Sequence, residues 1–146
     1  MRDCVLSIDQ GTTGTTALLL DPNVQLIAKH NVEFANHYPQ PGWVEHDVEE
    51  IWASVAAAVQ GVLAKAGSVR ILAIGITNQR ETSVFWDRHT GRAIHRALVW
   101  QDRRTSDFCA QLKSDGLERE VREKTGLVLD PYFSGTKAKW ILDHVP

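Results

Sequence analysis

Two short polar segments hold the chemistry that this chain can offer. Thr77, Asn78, Gln79, Arg80, Glu81 and Thr82 are consecutive hydrogen-bonding side chains directly after the apolar run Ile71 to Ile76. The run reads as a buried strand, so its end delivers an adjacent cation and carboxylate to one place. Fixed donors beside fixed acceptors suit a hydroxyl-rich ligand, because each hydroxyl both gives and takes a hydrogen bond. A strand ending in a solvated loop would be polar too, and this segment alone does not separate the two readings. The second segment, Asp9-Gln10-Gly11-Thr12-Thr13-Gly14, lies between Val5, Leu6, Ile8 and the run Ala17 to Leu20 and reads as a hairpin turn. Its glycines are expected to supply positive φ angles and close backbone approach, while Thr12 and Thr13 add hydroxyls at the tip. Such a tip can cradle phosphate oxygens through Thr12, Thr13 and Gly14. Asp9, at its mouth, could hold a divalent cation through water. A plain hairpin uses the same residue types.

The elements that must position these segments follow from periodicity and turn chemistry. Cys4 to Ile8, Thr16 to Leu20 and Gln25 to Phe34 read as three strands joined by turns, the second being Asp21-Pro22-Asn23. Asp47 then caps a helix with Glu50 three residues on, and Ile51, Trp52, Val55, Val59, Val62 and Leu63 recur at helical spacing until Gly67. Strands Ile71 to Ile76, Ser83 to Trp86 and Ala97 to Trp100 follow, with the turn His89-Thr90-Gly91-Arg92, and the remainder reads as helical. A three-stranded antiparallel meander, a crossover helix and a further strand make a mixed α/β sheet flanked by helices.

Composition excludes more than it selects. The 146 residues suffice for one domain with a real core, and 43% hydrophobic with 23% charged residues is ordinary for a globular protein. A formal charge of -2 offers no electrostatic footprint for nucleic acid or a membrane surface. Cys4 and Cys109 lie far apart without a C-x-x-C pair, so they read as reduced core residues, and the six histidines show no metal-ligand spacing. No leader precedes Val5 and no apolar run reaches spanning length, which leads us to expect a cytoplasmic protein. P-loop, dinucleotide, nucleophile-elbow and zinc-helix motifs are all missing.

Five blocks carry a resemblance. They are Ser7 to Thr13, Tyr38 to Asp47 (YPQPGWVEHD), Gly75 to Thr82 (GITNQRET), Val99 to Thr105 (VWQDRRT) and Asp130 to Lys137 (DPYFSGTK). In this order they resemble the N-terminal part of the glycerol kinases, within the FGGY carbohydrate kinases. The blocks at Asn78 to Thr82 and Pro131 to Lys137 are the ones specific to that group. The resemblance implies a ribonuclease-H-like (actin-like ATPase) domain over residues 1–146, with a second, nucleotide-binding domain outside them. It implies ATP-dependent phosphorylation of glycerol, with ATP and Mg2+ as cofactors. Arg80 and Glu81 match the pair that binds glycerol hydroxyls, Tyr132 matches a third polar contact, and Trp100 matches an apolar wall. Asp9 falls to the metal, and Thr12, Thr13 and Gly14 to the phosphates. The catalytic base is expected beyond residue 146, so the chain alone is expected to be inactive, and homo-oligomerisation of the full-length protein stays open. This chain departs from the pattern at two places: Thr16 stands where the family commonly has arginine, and Gly14 where it has serine. A missing guanidinium takes one cation from the phosphates.

Competing readings make different demands. A kinase for another polyol or sugar differs in the substrate panel, and a non-catalytic polyol-binding module would keep its ligand when Asp9 is changed. A nuclease of the same strand order needs clustered carboxylates for two metals, and Asp9 has no evident acidic companion except Glu81. Asp102, Arg103 and Arg104 either line a cleft or form a solvated first helical turn. Trp43, Trp52 and Trp140 read as packing residues, and Lys137 and Lys139 carry no derived role.

Overall fold

Burial alternates along the first strands as side chains point to opposite faces in turn: Cys4, Leu6 and Ile8 are buried on one, and Thr15, Ala17 and Leu19 on the next. The computed structural model describes residues 1–146. Its elements are β1 (Arg2–Gln10), β2 (Gly14–Leu20), β3 (Leu26–Glu33), β4 (Glu45–His46), α1 (Val48–Ala66), β5 (Val69–Asn78), β6 (Ala97–Leu98), α2 (Ser106–Ser114), α3 (Glu118–Thr125) and α4 (Ser134–His144). They fall into two units, one of residues 1–35 and 47–79, the other of residues 36–46 and 80–146.

The first unit is the expected mixed sheet, in the order β3-β2-β1-β5, with β1 antiparallel to β2 and parallel to β5. Asp47 caps α1 by accepting the Glu49 N–H at 2.9 Å, and Gly67, at φ 71°, ends it by donating to the Leu63 carbonyl. The helix is rotated from the expected stripe. Ser54, Ala58 and Val62 are its buried residues, while Val55, Val59 and Leu63 are only partly buried and Trp52 is 68% exposed. Trp52 is therefore not a packing residue: small side chains at 54 and 58 let the helix lie close to the sheet, and that face excludes an indole. The Ser54 hydroxyl meets Thr15 Oγ1 at 2.7 Å inside this packing, satisfying two otherwise costly buried groups.

The reading of Ile71 to Ile76 as a buried strand is overturned. β5 is the edge strand of the sheet, and Leu72, Ile74 and Ile76 are 55, 59 and 73% exposed. α1 packs mainly against β2 and β3, so no helix of this unit covers the β5 side of the sheet. A run of apolar residues reports a preference for burial and not what does the burying.

In the second unit β4 and β6 pair antiparallel, Glu45 opposite Leu98 and His46 opposite Ala97. The expected strand Ser83 to Trp86 shrinks to isolated bridges, Ser83 to Leu98 and Trp86 to Ala93. The chain reverses at Asp87, whose Oδ1 accepts the N–H groups of His89 and Thr90. The expected strand Ala97 to Trp100 stops at Leu98, because the Val99 carbonyl accepts the Asp102 N–H and turns the chain. Helices α2 to α4 complete the unit, as the remainder of the sequence predicts. Both cysteines are free and buried. No helix is long and apolar enough to cross a membrane.

Candidate functional site

Glu81 sits immediately after the β5 segment in a conformation that side chains rarely adopt, at φ 63°. Its carboxylate oxygen Oε2 accepts from the backbone N–H and the hydroxyl of Ser134, at 3.1 and 2.7 Å. Ser134 is the first residue of α4, where unpaired N–H groups favour an anion. The carboxylate is thus aimed by the helix terminus.

The aromatic residues expected beside it converge. The rings of Trp100 and Tyr132 lie 6.0 Å apart, edge to face at 69°, and Phe133 packs edge-on against Tyr132 at 5.0 Å. Trp100 is positioned by its backbone N–H, which donates to Thr82 Oγ1 at 3.3 Å. Tyr132 is set by its own N–H on Asp130 Oδ1 at 2.8 Å. Arg80 is exposed at the adjoining position. Of the four expected residues, Trp100 and Tyr132 meet through their rings, Glu81 is bonded to Ser134 two residues after Tyr132, and Arg80 adjoins Glu81 along the chain.

Between Glu81 and Tyr132 stands a group that motif reading left without a role. Lys137 is fully buried, and its Nζ donates to the main-chain carbonyls of Glu81, at 3.2 Å, and of Tyr132. Burial pushes its pKa down, opposed by the charges of Glu81, Asp102 and Asp130. A signal was available, since Lys137 and Ile141 are four apart on one face of α4 and both are buried.

The hairpin tip in the first unit differs from expectation in its backbone. Neither Gly11 nor Gly14 has a positive φ. Glycine is needed at 14 for proximity instead: a Cβ there would lie 2.7 Å from the Val32 carbonyl oxygen of β3. The serine common in the family would collide with that strand, which accounts physically for one departure. At the other departure, Thr16 Oγ1 donates to Asn31 Oδ1 at 2.9 Å, so the side chain is tied to β3. Gln10 and Gln79, given no separate role in the sequence, stiffen the tip: both side-chain amides donate to the Gly11 carbonyl, at 2.7 and 3.1 Å. Asp9 is exposed next to the tip, paired in register with Thr16 on one side and Thr77 on the other. No cluster of three metal-ligating side chains exists in the chain. A single exposed carboxylate beside hydroxyls fits a magnesium ion that keeps its waters and takes its other ligands from phosphate.

Asp102 and Arg104 are neither cleft lining nor a solvated turn. Both side chains are buried, Arg104 fully, and Arg104 reaches Asp102 through Nε and Nη2, each at 2.9 Å. Nη2 also donates to Glu45 Oε1 at 2.8 Å, while the guanidinium carbon lies 3.8 Å from the ring centre of Trp43 and 4.4 Å from that of Trp140. Trp43 and Trp140 thus pack as expected, here around a cation. Nη1 is buried without a hydrogen-bond partner, and the flanking π faces add to the stabilisation that the Asp102 and Glu45 carboxylates give the guanidinium. Arg103 points outward to Asp130 at 3.5 Å.

The strand order and crossover helix define an α/β domain of the ribonuclease-H-like, actin-like ATPase class. The model of the N-terminal domain of the FGGY family of carbohydrate kinases matches residues 4–146. The chain belongs to that family. It is 58% identical over 146 residues to a glycerol kinase of Gluconobacter oxydans, covering 99% of this chain and 28% of that protein. It is 57% identical over 144 residues to one of Bradyrhizobium diazoefficiens, covering 97% and 29%. The crystal structure of Plasmodium falciparum glycerol kinase with ADP superposes with a TM-score of 0.91 at 34% identity, over 99% of this chain and 29% of that one. A gluconate kinase from Lactobacillus acidophilus gives a TM-score of 0.91 at 20% identity, over 99% and 29%, a likeness of fold alone. The chain spans less than a third of the length of the curated relatives it matches.

Proposed function

We propose that the full-length protein transfers the γ-phosphoryl group of ATP to a terminal hydroxyl of glycerol, giving glycerol 3-phosphate, and that residues 1–146 form its substrate-side domain. The observation that carries this reading is the Glu81 carboxylate held by Ser134, two residues after Tyr132, whose ring meets that of Trp100. Glu81 accepts from a glycerol hydroxyl, Arg80 donates to one, Tyr132 adds a third polar contact and Trp100 walls the carbon chain. A site that satisfies every hydroxyl discriminates strongly, since an analogue lacking one strands a buried partner. The identity to proteins named glycerol kinase supports this substrate over a larger sugar.

Thr12, Thr13 and Gly14 at the hairpin would contact the phosphates, and Asp9 would hold magnesium through water. Magnesium, when bound, supplies charge neutralisation on the transferring phosphoryl group. The base that takes the hydroxyl proton, and most adenine and ribose contacts, are proposed to lie outside residues 1–146. This chain is therefore proposed to bind glycerol without turning it over. ATP as donor favours a cytoplasmic location.

The test is a substrate panel on the full-length protein. Glycerol should give the highest kcat/KM, and a sugar that exceeds it would reassign the substrate. ATP-dependent formation of glycerol 3-phosphate by residues 1–146 alone would refute the division of labour.

A further inference from the structure

Lysine is seldom fully buried without an acidic partner, and Lys137 has none in direct contact: its hydrogen-bond partners are two main-chain carbonyls. Those carbonyls belong to Glu81 and Tyr132, which lie 51 positions apart in sequence and are both assigned above to the polyol. We infer that the buried ammonium of Lys137 is a positioning group that fixes Glu81 and Tyr132 relative to each other, and so sets the width of the glycerol site. The inference rests on the proposed polyol site.

Three features of the geometry carry it. First, Glu81 is held at φ 63°, a conformation that persists only where surrounding contacts over-determine it. Lys137 grips its carbonyl while Ser134 grips its carboxylate, so both ends of the residue are fixed. Second, the next peptide is pinned as well, by the mutual backbone bonds of Ser83 and Leu98, each 2.9 Å. The Glu81 carbonyl accepts from the Ser83 hydroxyl at 3.3 Å and from Lys137 at 3.2 Å, and of these two donors only Lys137 ties it to Tyr132. Third, an ammonium is a compact set of donors on one atom, which can hold two carbonyls at once. A guanidinium in the same buried space is planar and longer, so arginine would push the two segments apart.

A role in folding alone makes a different prediction. The lysine charge is desolvated, and replacing it by an apolar side chain of similar length relieves that cost while losing two hydrogen bonds. Lys137→Met should therefore disturb site geometry more than stability.

The experiment compares full-length wild type with Lys137→Met, Lys137→Gln and Glu81→Gln, measuring glycerol KM, ATP KM, kcat and the urea midpoint. The expected result is a rise in glycerol KM of about tenfold or more in Lys137→Met, with ATP KM within about twofold. Lys137→Gln, whose amide can serve a carbonyl, should fall between Met and wild type, and it carries the test if the Met variant does not fold. A glycerol KM unchanged in a folded Lys137 variant, or ATP and glycerol KM rising together, overturns the inference. If Glu81→Gln also leaves glycerol KM unchanged, the polyol site itself is wrong. If Glu81→Gln raises it and the Lys137 variants do not, only the positioning role falls.

Discussion

Arg104 and Asp102 form a two-point pair inside the second unit, Nε to Oδ1 and Nη2 to Oδ2, both at 2.9 Å. The same carboxylate also accepts the backbone N–H groups of Val44 and Arg104, at 2.7 and 2.9 Å. One aspartate therefore joins the β4 segment to the start of α2, and every lone pair it uses is buried. Removing it leaves a fully buried cation with Glu45 as its one carboxylate and strands two amides. Asp102→Ala should destabilise the protein by about 3–5 kcal/mol, read as a lowered midpoint in urea unfolding; an unchanged midpoint would mean that the pair is structurally idle.

In the polyol site, Glu81→Ala should weaken glycerol binding by about 2 kcal/mol or more, since a hydroxyl loses its charged acceptor. Arg80 is exposed, so Arg80→Ala should cost less, about 1 kcal/mol. Titration calorimetry with glycerol reads both directly, and equal wild-type affinity in a folded Glu81→Ala protein would remove that residue from the site.

Gly14 answers to a backbone atom and Gly61 to a side chain. A Cβ at Gly14 would lie 2.7 Å from the Val32 carbonyl oxygen, which cannot move without distorting β3. At Gly61 a Cβ would lie 2.1 Å from the His30 ring, which can rotate away. Gly14→Ala should therefore lower stability by about 1–3 kcal/mol and Gly61→Ala by less. Thermal melts of the two variants rank them, and the opposite order would contradict the hairpin geometry.

Acid should loosen two turns. The Asp87 carboxyl is held below its ordinary value of 3.8, chiefly by the backbone N–H of Thr90, and that of Asp21 is held below it chiefly by the N–H of Gln25. Each folded-state pKa is depressed, so the stabilisation is complete above about pH 4 and is lost as pH falls through the folded value. Melting temperature should decline below about pH 4, and Asp87→Asn, which keeps an acceptor oxygen but no titrating group, should flatten part of that decline. An identical pH profile for the variant would exclude Asp87 as a source.

The bare β5 edge predicts self-association of this chain in isolation. Leu72, Ile74 and Ile76 are exposed along a strand with one unpaired side, the geometry that recruits further strands. Ile74→Lys should shift the isolated chain toward monomer in light scattering at matched concentration; unchanged association would place the contact elsewhere.

Local chemistry was legible in the residues themselves. Alternation in Cys4 to Ile8, the Asp47 cap, the Gly67 stop and the hairpin position at Gly11 to Gly14 all follow from near-neighbour forces, and the structure keeps them. The blocks around Glu81, Trp100 and Tyr132 likewise pointed to residues that the fold brings together, except that nothing in them said how. Tertiary structure alone decided that β5 is exposed, that Trp52 faces solvent, that Arg104 is sheathed by Trp43 and Trp140, and that Lys137 joins two carbonyls. Each of these depends on which distant segment arrives against a residue, and periodicity records only that a side chain wants company. Which company it gets is set by packing across 50 or more positions of chain, where a buried cation and an exposed one have the same letter.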